Sequence, residues 1–142
     1  MPSDHRKIVI LTSCTGAKQY APDNQLVQHD FRLDPEAFQI REAELSGSMM
    51  PAELMYTGQQ HKRLMRGVNA LRAANQFDVD LQIVSAGYGL ITGSKLIAPY
   101  ECTFQTMNTH EIAEWSDLLN IPAATHDLFQ HPADLIIVAL GE

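Results

Sequence analysis

Three stretches of this chain end an apolar run in small or glycine residues: Ser13-Cys14-Thr15-Gly16-Ala17-Lys18, Ser85-Ala86-Gly87-Tyr88-Gly89-Leu90 and Leu140-Gly141-Glu142. Side chains this small let backbone N–H groups approach an anion closely, and Lys18 adds positive charge. The pattern points to a phosphate, carboxylate or nucleotide site. Its candidate contacts are Ser13, Thr15, Gly16, Lys18, Ser85, Gly87, Gly89 and Gly141. No stretch carries a full phosphate-loop or dinucleotide fingerprint, so the reading rests on the three together. The alternative is that these glycines only make tight turns.

Other residues could supply reactivity. Cys14 sits in the first small-residue loop, where a helix start would favour a thiolate, and His61 is the natural base for it. Glu101, on the rigid connection after Pro99-Tyr100, suits a general base or a ribose-hydroxyl contact. Tyr88 and Tyr100 could stack on a base. Each has a structural alternative: a small buried cysteine, a surface acid, half-buried core tyrosines. Cys14 and Cys102 form no CxxC pair, and His5, His29, His110, His126 and His131 show no ligand spacing. Neither a metal nor a cofactor is therefore expected.

The 142 residues amount to one domain, and 45% hydrophobic against 19% charged content excludes a disordered chain. The longest apolar runs, Ile8–Leu11 and Leu135–Leu140, are far too short to span a membrane. Met1–Lys7 lacks the apolar stretch of a leader, so a reduced, cytoplasmic protein is expected. All ten Lys and Arg lie within residues 1–95, whereas residues 96–142 hold seven acids and no cation. The net charge of −7 therefore resides in the last third. Lys62, Arg63, Arg66 and Arg72 cluster, and the first three are candidate contacts to phosphate or nucleic acid. A solvated helix face is the plainer reading.

These residues need elements to hold them. Lys7–Ser13 reads as a strand buried on both faces, as in a parallel sheet. Residues 19–33 show no period. Asp34-Pro35 caps a helix over Glu36–Leu45, ended by Ser46-Gly47-Ser48. After Tyr56-Thr57-Gly58, a second helix runs from Gln59 to Asn75, with Leu64, Met65, Val68 and Leu71 as its apolar stripe and Lys62, Arg63 and Arg66 facing away. Val79–Ser85 is a second buried strand. Asn108 or Thr109 caps a helix to Leu119 that buries Ile112, Trp115 and Leu119. Thr125–Gln130 is a short helical turn, and Asp134–Leu140 a third buried strand. Long crossovers between such strands imply an α/β fold: a Rossmann-like, mainly parallel sheet with helices on both faces, in three αβα layers. The chain stops directly after its third strand. That predicts a truncation, or a partner chain or homo-oligomer covering the exposed sheet face.

Four motifs together resemble a bacterial family, the YaaA-like or peroxide-stress-protein-like proteins. They are Ile10-Leu11-Thr12-Ser13-Cys14 with Lys18; Tyr56-Thr57-Gly58; Val84-Ser85-Ala86-Gly87-Tyr88-Gly89-Leu90-Ile91; and Ile97-Ala98-Pro99-Tyr100-Glu101-Cys102-Thr103-Phe104. The resemblance spans residues 7–142. It implies a Rossmann-like domain whose motif loops, Tyr56 and Gly58 among them, line one cleft. It also implies a link to oxidative-stress protection and DNA binding, or to modified nucleobases, since wider relatives act on deazaguanine bases. Two features depart from the family: a helix usually follows the Gly-acid pair at 141–142, and the acidic last third lacks the basic surface of a duplex-DNA binder. The expectation is a nucleotide- or modified-nucleobase-binding protein, acting on an N-glycosidic bond or a base substituent. The alternatives are a non-catalytic DNA-binding stress protein and an interaction module completed by a partner chain.

Overall fold

The computed structural model describes residues 5–141. Met1–Asp4, read above as the start of a leaderless N-terminus, and Glu142, the last of the seven acids, lie outside the described residues.

Ile8-Val9-Ile10-Leu11 is buried along β1 (Arg6–Ser13), a strand paired along both edges and covered on both faces. The other elements, in chain order, are β2 (Leu26–Val27), α1 (Pro35–Ala43), β3 (Met50–Pro51), α2 (Ala52–Met55), α3 (Gln59–Ala73), β4 (Phe77–Ser85), β5 (Gly89–Thr92), β6 (Leu96–Ile97), β7 (Tyr100–Glu101), α4 (Thr109–Leu118), α5 (Ile121–Gln130) and β8 (Leu135–Ala139). The central sheet runs β5-β4-β1-β8. β1 is parallel to both β4 and β8, and β5 is antiparallel to β4. Two small ladders, β2 with β7 and β3 with β6, tie the connections together. The fold is mixed α/β, with a mostly parallel sheet and helices packed on it.

Chain order and strand order reverse beside β1. The crossover through α1–α3 leads to β4 on one side, and α4–α5 return the chain to β8 on the other. In open α/β sheets a crevice forms outside the carboxyl ends of the strands at such a reversal. Local signals set the helix starts. Asp34 Oδ1 accepts from the Ala37 amide at 2.9 Å, and Asn108 Oδ1 from Glu111 at 2.9 Å.

Four expectations need correction. The strand expected at 134–140 forms, but it is an exposed edge: Leu135, Ile136, Ile137 and Val138 are 37–56% exposed. Among the described residues β8 pairs only with β1, so composition that is buried in the centre of the sheet is bare at its margin. The turn expected at 125–130 is the end of α5, which begins at Ile121 with Pro122 in its first turn, where the missing N–H costs nothing. On α4, Trp115 is buried but Ile112 is 37% exposed. Finally, Ala86-Gly87-Tyr88 is a hairpin turn into β5. Gly89 closes it at φ +78°, and a Cβ there would lie 2.8 Å from the Leu119 carbonyl oxygen.

Candidate functional site

A cleft of about 1120 Å³ opens at the carboxyl ends of the three parallel strands. Thr12–Cys14 from β1, Val84 from β4 and Ala139–Gly141 from β8 line its floor. Thr15, Gly16 and Lys18 form one wall, the first turn of α3 another, and Glu101–Gln105 a third. Thr12 Oγ1 donates to the Ala139 carbonyl at 3.0 Å, and Gly141 N donates to Ser13 Oγ at 3.0 Å. These bonds hold the ends of β1 and β8 side by side.

Of the sequence-derived candidates, Ser13, Cys14, Thr15, Gly16, Lys18, Gly58, His61, Arg63, Glu101 and Gly141 line this cleft. Tyr56, Ser85, Gly87, Tyr88, Gly89, Tyr100, Lys62 and Arg66 are not among its lining residues. Tyr56, Ser85 and Tyr100 instead form a fully buried hydroxyl cluster. Tyr100 Oη is 2.8 Å from Tyr56 Oη and 2.7 Å from Ser85 Oγ. Tyr88 donates to Glu42 Oε2 at 2.6 Å and accepts from the Ala98 amide at 2.9 Å. Burial and the Glu42 partner hold its hydroxyl far above the usual tyrosine range. The turn at 86–88 therefore works as a brace.

Arg63 belongs to the cleft although the helical period put it with Lys62 and Arg66 on the outer face. Sequence reasoning passed over Gln59, Gln60 and Gln105, and quoted Thr103 and Phe104 in a motif without singling them out as contacts. Their signal was positional, since Gln59 and Gln60 directly follow Gly58 and Gln105 directly follows the motif ending at Phe104. His61 lies three residues before Leu64 and seven before Val68, so the apolar stripe already included its position.

Lys18 is partly buried. Its Nζ donates to the Thr15 and Gly16 carbonyls at 3.3 and 3.2 Å and lies 4.4 Å from the centre of the Tyr100 ring. Burial lowers its pKa, opposed by the nearby Cys14, Glu101 and Cys102. Most of its donor capacity is spent locally, so it sets the potential of the cleft more than it grips a ligand.

The expected Cys14–His61 couple is not joined. Cys14 Sγ accepts from the Ala86 amide at 3.3 Å, and His61 Nε2 lies 2.8 Å from the Glu53 carbonyl oxygen. Cys102 Sγ donates to the Ala86 carbonyl at 3.3 Å. Burial pushes the Cys102 thiol up to about 11, helped by Cys14 and opposed by Lys18. Thiolate is the reacting form. In a Cys14→Ser variant, iodoacetamide should thus label Cys102 slowly at pH 8, with a rate rising towards pH 11. An inflection at the free-thiol value near 8.5 would contradict the burial argument.

Among the described residues, no group of three or more His, Cys, Asp or Glu is placed to hold a metal ion. No described helix is long and apolar enough to cross a membrane. The chain belongs to a family of unknown function, DUF6884, whose model matches residues 44–140. That span takes in α3, Glu101 and β8 but not the loop carrying Cys14 and Lys18. No curated protein and no solved structure matches the chain.

Proposed function

We propose that this member of a family of unknown function binds a nucleotide or modified nucleobase in the cleft at the carboxyl ends of β1, β4 and β8. We read its frame as Rossmann-like, close to the YaaA-like proteins, and its setting as cytoplasmic, where the free thiols Cys14 and Cys102 stay reduced. The observation that carries the reading is the composition of the cleft. Its lining includes Lys18, Arg63 and the start of a 15-residue helix, whose dipole favours an anion. The lining also presents apolar surface for a flat ring, Val84 and Leu140 from the floor and Cys102 and Phe104 from one wall, and among the described residues Glu101 is its one acid.

The chemistry within reach is N-glycosidic cleavage. The Glu101 carboxylate takes a proton from a water whose oxygen bonds to the sugar C1′. The C1′–N bond breaks with its electron pair on the base, which takes a proton from solvent. Thermal unfolding of the full chain against nucleosides, mononucleotides and purine analogues tests binding. A ligand at 100 times its Kd stabilises by about 2.7 kcal/mol, roughly an 8 °C shift at this size. Glu101→Ala should retain the fold and lose turnover of whichever ligand binds. Unchanged turnover in that variant sinks the acid–base role.

The bare edge strand supports a second reading, a surface that another chain extends. β8 offers an unpaired backbone edge and no charge among residues 135–139, the features that proteins usually blunt. Val138, 56% exposed, is the place to test it. In sedimentation velocity the natural chain should associate with rising concentration, and Val138→Lys should remain monomeric at unchanged Tm. A natural chain that stays monomeric at high concentration removes this reading.

A further inference from the structure

We propose that the α3 end of the cleft is a subsite for a phosphate monoester, so that the ligand is a mononucleotide rather than a nucleoside or a polymer. This rests on the nucleotide reading above and narrows it.

The backbone there is shaped for close approach. Gly58 is the N-cap of α3, and no side chain caps the helix. A Cβ on residue 58 would lie 2.7 Å from Thr15 Cγ2, so glycine lets the turn seat against Thr15. The Thr15 hydroxyl has its proton committed: it donates to the Ala17 carbonyl at 2.9 Å and accepts from the Gly58 amide at 3.3 Å. It fixes the turn and leaves the first-turn amides of Gln59, Gln60 and His61 at the cleft.

The second observation is independent of the helix end. His61 is 3% exposed and lines the cleft. Its Nε2 faces the Glu53 carbonyl, which can only accept, so Nε2 carries the proton. Nδ1 is left buried and without a partner. A buried polar atom in this state is rare and calls for an explanation. A phosphate oxygen supplies one, because oxygen and Nδ1 then share a proton whichever of them holds it. Ser13 adds a donor, since its oxygen accepts from Gly141 and its own proton remains to give.

Arg63 completes the subsite. Its planar guanidinium matches two phosphate oxygens at once. Lys62 and Arg66, its neighbours on α3, lie outside the cleft lining. A monoester carries about −1.5 to −2 at neutral pH, against −1 for each diester linkage. A set of donors at one helix end suits the former. A polymer would instead need the outer cations as well.

The test is calorimetric titration of the full chain with the four common 5′-mononucleotides, their nucleosides, inorganic phosphate and a short single-stranded oligonucleotide. The expected result is a mononucleotide binding at least about 30-fold tighter than its nucleoside, with inorganic phosphate competing. Arg63→Gln should cut mononucleotide affinity about tenfold or more and leave nucleoside affinity unchanged, whereas Lys62→Gln should change neither. His61→Gln should act like Arg63→Gln; should it fail to fold, Arg63→Gln decides alone. Equal binding of nucleoside and nucleotide overturns the subsite while sparing the nucleotide reading. An oligonucleotide bound most tightly and weakened equally by Lys62→Gln overturns it in favour of a polymer. If no nucleoside or nucleotide binds, the nucleotide reading falls. The subsite then survives only if inorganic phosphate binds and Arg63→Gln abolishes that binding.

Discussion

Trp115→Ala should destabilise the protein by about 3–5 kcal/mol, which lowers Tm by roughly 10 °C at this chain length. Trp115 is 2% exposed and is the largest fully buried side chain. Its Nε1 donates to the Ala86 carbonyl at 2.6 Å, and Arg32 lies 5.0 Å from its ring centre. The indole therefore joins α4 to the turn between β4 and β5. The alanine variant loses the packed ring and leaves a cavity. Trp115→Phe keeps one six-membered ring but loses the hydrogen bond and the packing of the five-membered ring, so it should cost about 1–3 kcal/mol, less than alanine. Urea unfolding measures both costs. The same turn presents the Ala86 amide to Cys14 at the cleft, so the alanine variant should also speed alkylation of Cys14. A loss below 1 kcal/mol for alanine would mean that α4 is not docked as described.

What could be read from the sequence depended on whether burial was set locally or by distant partners. Ile8–Leu11 and Leu135–Val138 have the same composition, and both read as buried strands. Only the first is buried, because a β-branched run specifies a strand but not how many neighbours the sheet gives it. The caps at Asp34 and Asn108 were legible because a cap is a contact over three residues. The hairpin at 86–88 carried its own signal, a glycine in the left-handed region after three residues. That signal is also what a ligand loop looks like, so sequence alone does not separate the two. The site was half legible for the same reason. Strand ends named the floor of the cleft, since parallel strands must bring their carboxyl ends together. The helical period sorted Lys62, Arg63 and Arg66 onto one solvent face, but a helix end facing a crevice can bring one of them to the cleft. Tyr88 and Tyr100 look like stacking residues in the sequence because the exposure of an aromatic ring is decided by contacts more than 40 residues away, here to Glu42 and Tyr56.

Tyr100 carries the other large expected effect, and its hydroxyl and ring can be tested apart. Ser85 Oγ accepts from the Gly87 and Tyr88 amides at 3.2 and 3.0 Å, which occupies both of its lone pairs. Its proton must then go to Tyr100 Oη, and the Tyr100 proton to Tyr56 Oη. Tyr100→Phe removes the middle of this chain. The Ser85 proton is then left without an acceptor and Tyr56 Oη without a donor, at a cost of about 1–3 kcal/mol. The ring under Lys18 remains, so ligand affinity should stay within about twofold. Tyr100→Ala also removes a 1%-exposed ring packed edge-on against Phe31 and Tyr88, at 5.5 and 5.8 Å between centres. Its total cost should exceed about 4 kcal/mol, and Lys18 should lose its place in the cleft. Alkaline titration distinguishes the two roles further. Burial raises the Tyr56 and Tyr100 hydroxyls well above 10, so the unfolded chain ionises first and binds fewer protons than the native state there. Stability is then full below about pH 10 and falls as pH rises beyond it. In Tyr100→Phe that fall should be shallower by one proton, measured as the pH dependence of the urea midpoint above pH 9.5 or so. An unchanged slope would mean that Tyr100 ionises as readily in the native state as in the unfolded one, and the buried hydroxyl chain would have to be abandoned.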